Sequence, residues 1–284
     1  MPNVKVITDS GCDLPDNVSA SQQIEVVPLT IRFGEKEFVD KQDLSPEEFW
    51  QHCLEATDLP QTAAPSPGSF EKAFRQAAKD GYNEVICITL SAGISASYQS
   101  AVTAASLLNK EIRVLIFDSK LITIAQGMLV MEACSWSSAG LSLDDLEVKV
   151  KEMRDGLRLL GTLDTLEYLK KGGRIGNARA FLGSLLEIKP LIELRNGIVE
   201  PESKTRTRAK ALTSLVDKVR QAEPTGKIGV SHGMAQDIES FTTQLQHQLP
   251  DCTLYIGQIG AVLGAHTGPG TIGVAFTPSL GFNK

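Results

Sequence analysis

The chain contains no Walker A sequence and no G-x-G-x-x-G fingerprint, so neither common phosphate-cradling nucleotide site is written into it. No apolar stretch reaches the roughly 18 residues that crossing a bilayer requires. Cysteine is sparse. The five residues Cys12, Cys53, Cys87, Cys134 and Cys252 are odd in number and far apart, which fits neither a disulfide framework nor a C-x-x-C metal site. Buried free thiols in a reducing compartment are the better reading. A surplus of positive charge is also lacking. The formal net charge of −6 argues against nucleic acid or an anionic membrane surface as the main partner, because both select a basic face. His52, His232 and His247 show no ligand spacing with His266, so no metal is expected. The stretch Met1-Pro2-Asn3 runs straight into a strand pattern with no leader-like segment, and a cytoplasmic location is expected. A lipid ligand would then be carried in solution, without stable membrane insertion.

What is present suits a packed core: 284 residues, 42% apolar and 22% charged, enough for one large domain or two of ordinary size. Strand patterns fall at residues 4–8, 24–29, 85–90 and 114–117. The third is so continuously apolar that both of its faces must be covered, as in a parallel sheet. Helical patterns lie between them. Ser45-Pro46-Glu47-Glu48 supplies an N-cap, a proline at the first helical position and a capping-box glutamate. Further helices are expected over 70–79, from the loop at 91–97 through Ser106, and over 124–136 and 142–154, while 60–68 reads as a Pro- and Ser-rich loop. Alternation of strand and helix predicts a doubly wound layer. Beyond residue 155 the pattern changes. Strands are expected near 157–160, 191–194, 198–201, 227–231, 253–257 and 272–276, with helices near 165–171, 208–220 and 235–249. Asn196-Gly197 is a hairpin signal, and a hairpin among αβ units predicts a mixed sheet. The expected division is an α/β/α domain with a parallel sheet over 1–155 and an α/β layer with a mixed sheet over 156–284.

Three segments carry candidate chemistry. Ser91-Ala92-Gly93-Ile94-Ser95-Ala96-Ser97 follows a buried strand and precedes a helix, where hydroxyls and free backbone N–H groups make an anion site. The plainer alternative is that Ser95 or Ser97 only caps the helix. The same stretch nearly spells the G-x-S-x-G nucleophile elbow, with Ser97 in place of the last glycine, and His266 downstream gives the triad order of a serine hydrolase. In the second segment, Gly264–Gly270, glycines and Pro269 surround His266 and Thr267. That composition predicts a tight turn pressed against a ligand rather than ordinary helix or strand. His266 there suits hydrogen bonding to an anion, base chemistry, or simply fixing a loop. The third segment is Asp164–Ile175. Asp164 and Glu167 have capping-box spacing, Gly172 suits a C-cap, and Leu166 and Leu169 are expected in the core. Lys170, Lys171 and Arg174 make one basic spot, and Arg206 and Arg208 another, of the kind that is usually a solvated helix end. Thr8-Asp9-Ser10, Asp118-Ser119 and Thr62 fall where strand ends or loops of an open α/β sheet face a crevice, although Asp9 and Asp118 also suit simple Asx turns.

In order along the whole chain, Thr8-Asp9-Ser10, Thr62 with Pro65-Ser66, Ile94–Ala101, Asp118-Ser119, Asp164–Ile175, Lys189-Pro190 and His266-Thr267-Gly268-Pro269-Gly270 make a set that resembles the DegV family. The chain departs from that family's usual pattern at Ile94-Ser95-Ala96-Ser97, where Leu-Ser-Gly-Thr is usual, and at Thr62-Ala63-Ala64-Pro65, where Thr-Ser-Gln-Pro is frequent. The resemblance implies a two-domain α/β fold and a protein that binds a long-chain fatty acid, with no cofactor and no catalysis of its own. It implies an acyl chain in the first domain and a carboxylate near the domain interface, held by Thr62, Ser95 and His266, with Ser97 and Thr267 in the same candidate set. It also implies a separate fatty acid kinase catalytic subunit that meets Arg174 and Arg206 and makes an acyl phosphate. Burying a 16-carbon tail is worth on the order of 12 kcal/mol gross. The carboxylate cannot follow it into an apolar tunnel without a penalty of several kcal/mol, so it must stop at hydroxyls and a His near the surface. The DegV fold is also related to the substrate-binding half of dihydroxyacetone kinases, where a His holds a small ketone. On that alternative His266 would be a nucleophile for a short polar substrate, and the shape of the pocket discriminates.

Overall fold

The computed structural model describes residues 4–56, 58–108, 111–182 and 188–279. Strand β1 (Val4–Asp9) passes through a 3-10 turn at Ser10–Cys12 into α1 (Asp16–Ser21), and β2 (Glu25–Val27) returns parallel to it. A hairpin that periodicity does not reveal comes next: β3 (Thr30–Phe33) and β4 (Lys36–Val39). Helix α2 (Pro46–Glu55) follows, opened by the expected box. The Ser45 hydroxyl accepts from the Glu48 N–H at 3.2 Å, and the Glu48 carboxylate accepts from the Ser45 N–H at 2.8 Å. β5 (Gln61–Ala63) then pairs with the free edge of β3, completing a small antiparallel sheet in the order β4-β3-β5. Thr62, expected in a loop, is therefore a strand residue opposite Ile31. Three residues are too few to display the alternation that marks a strand.

The first layer continues with α3 (Pro67–Lys79), β6 (Glu84–Thr89), α4 (Ser97–Ser106), β7 (Arg113–Asp118), α5 (Thr123–Ser138) and α6 (Leu143–Gly156). Its sheet is wholly parallel in the order β2-β1-β6-β7. Five of the six β6 residues are buried, and they alternate between two cores. Val85 and Cys87 pack with Phe70, Phe74 and Ala101 of α3 and α4, while Ile86 and Ile88 pack with Leu129, Ala133 and Leu146 of α5 and α6. Full burial of each large apolar side chain is worth about 1.5–3 kcal/mol, which is why an unbroken apolar run becomes the centre of a covered sheet.

The second layer comprises β8 (Arg158–Thr162), α7 (Glu167–Lys171), β9 (Lys189–Arg195), β10 (Ile198–Thr205), α8 (Arg208–Gln221), β11 (Lys227–His232), α9 (Ile238–Gln248), β12 (Thr253–Gln258), α10 (Ala261–Thr267) and β13 (Ile272–Phe276). The strands lie in the order β10-β9-β8-β13-β11-β12, antiparallel except for β11 with β12, so the sheet is mixed. Asn196 (φ 52°) and Gly197 (φ 82°) make the β9–β10 turn that the dipeptide predicts. Helices α8 and α9 cover one face through Leu215, Val219, Phe241 and Leu245. The other face packs Leu159, Leu163, Leu194 and Ala275 into the core that also contains α5, so one helix is shared between the two sheets.

Two further expectations fail here. Asp164 does not cap α7, whose N-cap position is taken by Leu166. The Asp164 carboxylate instead accepts from Lys189 at 3.1 Å and faces Arg208 at 3.5 Å, partners distant in sequence that outbid a local cap. The Gly264–Gly270 segment is not purely a turn, because Ala261–Thr267 is helical and only Gly268 (φ 75°) and Gly270 (φ 79°) break away. The small residues serve close packing instead: a side chain at Gly264 would overlap Phe49 and Trp50. These aromatics, with Leu29, Ile31, Val262 and Leu263, form a core joining the small sheet to α10. The Trp50 indole N–H donates to the Ile259 carbonyl at 3.0 Å. Among the described residues no helix is long and apolar enough to cross a membrane.

Candidate functional site

The loop from Ser91 to Ser97 is held from both flanks. The Asp9 carboxylate, at the end of β1, accepts from the Leu90 N–H at 2.9 Å, from Gly11 at 3.2 Å and from the Gln126 side chain at 3.1 Å. The Asp118 carboxylate, at the end of β7, accepts from the N–H groups of Ala92 and Lys120, both at 3.0 Å. Both aspartates do make local Asx-type bonds, yet each also reaches a neighbouring strand end to fix the loop between them. Burial pushes Asp9 up to about 7 against three N–H donors that favour its charged form. The β9–β10 turn seals the loop from the second layer. The Ser91 hydroxyl donates to the Gly197 carbonyl at 2.7 Å, and Gly93 lacks a side chain where that carbonyl approaches.

The Ser95 hydroxyl accepts from the Ser97 N–H at 3.2 Å and lies 3.1 Å from the Ser97 hydroxyl. Ser97 is the first residue of α4 and is fully buried. Its hydroxyl is turned to Ser95, and Ser97 does not line the cavity described below. The N-cap residue itself is Ala96, which offers no side-chain bond.

Thr62 and His266 meet although 204 residues separate them: Thr62 Oγ1 lies 2.8 Å from His266 Nε2. The other ring nitrogen, Nδ1, is buried and has no partner among the described residues. A side chain at Gly172 would overlap it, so this C-cap glycine also makes room for the ring. With the proton on Nε2 the ring donates to Thr62, and the Thr62 hydroxyl keeps its own hydrogen for a ligand; with the proton on Nδ1 the Thr62 hydroxyl donates to Nε2. Burial, with the Arg174 charge beside it, holds the ring down at about 4, so it is neutral at pH 7. Arg174, half-buried, donates through Nε to the Ile94 carbonyl at 3.1 Å and through Nη1 to the Gly172 carbonyl at 2.8 Å. Arg206 is exposed, and Arg208 forms a two-pronged pair with Asp237 at 2.9 and 2.8 Å.

Thr62, Ser95, Arg174, His266 and Thr267 all line one cavity of about 110 Å³ between the two layers. The rest of its wall is apolar and includes Leu29, Leu90, Ile94, Leu169 and Val262. Ile122, Ile192, Val199, Leu263 and Thr267 also line a second cavity of about 50 Å³, which continues along the inner face of the mixed sheet past Leu159, Leu163 and Leu194. Larger clefts of about 300 Å³ beside Lys5 and Ser135 and of about 640 Å³ beside Lys120 and Arg158 hold none of the polar residues Thr62, Ser95, Arg174, His266 and Thr267. The arrangement is a polar mouth adjoining an apolar interior across shared lining residues.

The DegV family model matches residues 3–279. This chain belongs to the DegV family. A DegV domain-containing protein of Listeria monocytogenes is 33% identical over 279 residues, spanning 96% of this chain and 98% of that protein. Solved structures share the fold. A fatty acid-binding DegV family protein from Thermus thermophilus superposes with a TM-score of 0.89 at 29% identity, covering 97% of this chain and 99% of its own. A stearic acid-binding protein from Eubacterium ventriosum does so with a TM-score of 0.90 at 28% identity, covering 97% and 98%. The structural neighbours of this DegV chain are thus fatty acid-binding proteins of the same two-domain fold.

The DegV fold in this chain lacks the geometry of a nucleophile elbow. That turn strains its serine, whereas Ser95 is not among the non-glycine residues with positive φ, and His266 Nε2 is engaged by Thr62. Sequence reasoning did not find the part Gly172 plays, nor the tail-side wall formed by Ile122, Ile192, Val199 and Leu263. Apolar residues of that kind carry no signal distinguishing a cavity wall from packed core.

Proposed function

We propose that the protein binds one long-chain fatty acid, with the acyl chain along the two adjoining cavities and the carboxylate at Thr62, Ser95, His266 and Arg174. The observation that carries this reading is the shared wall between the polar mouth and the apolar chamber, because only a ligand polar at one end and apolar along its length matches both. The fatty acids bound by the Thermus and Eubacterium proteins support it. The chain would run between the layers rather than inside the first domain, with residues 1–155 supplying Thr62 and the Ser95 loop and 156–284 supplying His266, Arg174 and most of the tail's floor. Ser97 would act through Ser95, and Thr267 would stand where head and tail meet. A small ketone is the weaker match, since an apolar chamber beyond the mouth gives it nothing to fill.

The second half of the proposal is presentation. A carboxylate stopped at the mouth keeps an oxygen accessible to a separate kinase subunit, which would bring nucleotide and metal and form the acyl phosphate. Phosphoryl transfer depends on in-line placement and charge compensation, and a neutral His266 beside Arg174 can orient the carboxylate and offset its charge. Exposed Arg206 is a candidate contact for that subunit. The resemblance stated above motivates the kinase, and a cytoplasmic location is part of the same reading. Organic extraction of protein purified from bacterial cells, followed by mass analysis, tests the first half. A co-purified fatty acid is expected. Empty protein that also fails to take up added palmitate or oleate would end the carrier reading.

A further inference from the structure

The register of the mixed sheet lines up residues from strands far apart in sequence. Ser231 on β11 lies opposite Gly273 on β13, Gly273 opposite Gly161 on β8, and Gly161 opposite Ile192 on β9. Residues paired across a sheet point to the same face, so Gly273 and Gly161 leave a stretch of bare backbone running across the strands. Leu159 and Leu163, two residues either side of Gly161, flank it, and Leu263 and Thr267 of α10 also line the chamber. The result is a trough, and Ser231 stands at its β11 end: a side chain added at Gly273 would lie 2.9 Å from the Ser231 hydroxyl oxygen.

Ser231 is only 1% exposed, and its hydroxyl has no hydrogen-bond partner among the described residues. The Thr267 hydroxyl, also buried and unpartnered, lines the same chamber. Burying a hydroxyl without a partner is costly, and alanine would fill the Ser231 position at no such cost. Apolar walls with an unsatisfied donor and acceptor among them match a tail that itself bears a polar group.

We propose that the inner chamber contains a polar subsite, centred on the Ser231 hydroxyl with Thr267 nearby, that takes a hydroxyl substituent on the tail of the acyl ligand, making hydroxy fatty acids the preferred substrate class. This rests on the fatty acid reading of the site. A ligand hydroxyl can accept from Ser231 and donate to it, satisfying both capacities at once. The competing account is a buried water on the same hydroxyls, which the chamber is large enough to hold.

The test is a competition titration of the full-length protein with palmitate and a series of monohydroxy hexadecanoic acids whose hydroxyl is moved along the chain. At least one isomer should bind about tenfold tighter than palmitate, and Ser231→Ala should reduce that preference to about twofold or less. Palmitate binding with no isomer preferred, or a preference that survives in Ser231→Ala, overturns the subsite and leaves the carrier reading standing. Failure of palmitate and every isomer to bind overturns both. The series on the unmodified protein decides the question even if the variant is unstable.

Discussion

The parallel sheet meets the cavity with its strand ends, whereas the mixed sheet meets it with a face. At the strand ends, Asp9 and Asp118 grip the backbone of the loop between them and aim Ser95 into the mouth. On the sheet face the strand backbones pair with one another in ladders, and what lines the cavity is Leu159, Leu163, Ile192 and the bare backbone of Gly161 and Gly273. Strand ends supply free hydrogen-bonding groups, and a face supplies apolar area. An amphiphile finds both only where the two layers adjoin. The α10 helix belongs to neither arrangement. It is pinned to the first layer through Trp50 and through the Asp13 carboxylate, which accepts from the Gly260 N–H at 3.1 Å, and it delivers His266 to the mouth.

If the face is the floor of the tail and the strand ends hold only the head, substitutions on the two sides should differ in their dependence on chain length. Filling the trough with Gly273→Val should have the largest effect. Displacing about four methylenes from contact at about 0.8 kcal/mol each predicts a loss of palmitate affinity of about 200-fold. Octanoate should be affected far less. Isothermal titration with both acids reads this out, and equal losses would mean that the tail does not lie on the mixed sheet.

The head side titrates and the tail side does not. His266 is held down at about 4 in the folded protein against an ordinary value of 6.5. Between those values the unfolded chain binds the proton more readily, so this contribution to stability is full above pH 6.5 and is lost as pH falls toward 4. At pH 5 the loss is about 2 kcal/mol. Urea unfolding of the ligand-free protein and of His266→Gln at pH 7 and pH 5 should show the acid sensitivity reduced by about that amount in the variant. Identical pH dependence in the two would show that the ring is not desolvated as described.

The smallest effect is expected from Thr62→Val, which removes a hydroxyl from the mouth without changing its shape. A hydrogen bond to a charged group is worth about 1.5–3 kcal/mol, part of which Ser95 and Arg174 retain, so affinity should fall about tenfold. The factor should be the same for palmitate and octanoate. A loss that grows with chain length would place Thr62 on the tail side and erase the distinction between the two regions.

Much of the scaffold was legible because its signals are local. The apolar run of β6, the Ser45–Glu48 box and the Asn196-Gly197 turn each lie within a few residues and appear as expected. β5 and α10 were not, because three residues cannot show a period and the glycines and Pro269 around His266 resemble a turn in composition. The same contrast holds at the site. Hydroxyls and a histidine beside glycines mark Ser95, His266 and Thr267 as chemically special, the family resemblance marks Thr62, and all four line one cavity. Ser97 carries the same mark yet turns to Ser95, and Arg174, expected at a helix end and, by the resemblance, as a contact for the kinase subunit, turns inward to the Ile94 carbonyl.

The sequence by itself determined most of the longer strands and helices, the Asn196-Gly197 turn and which side chains could bind an anion, since those depend on spacing and residue chemistry within a short window. Only the tertiary structure decided that Thr62 and His266 touch, that Gly172 leaves room for the ring, and that Ser231, Gly273 and Gly161 fall into one row. The reason is register. A shift of one residue between β11, β13 and β8 would send the glycines to the opposite face, and that register is fixed by the packing of whole faces rather than by any residue in the row.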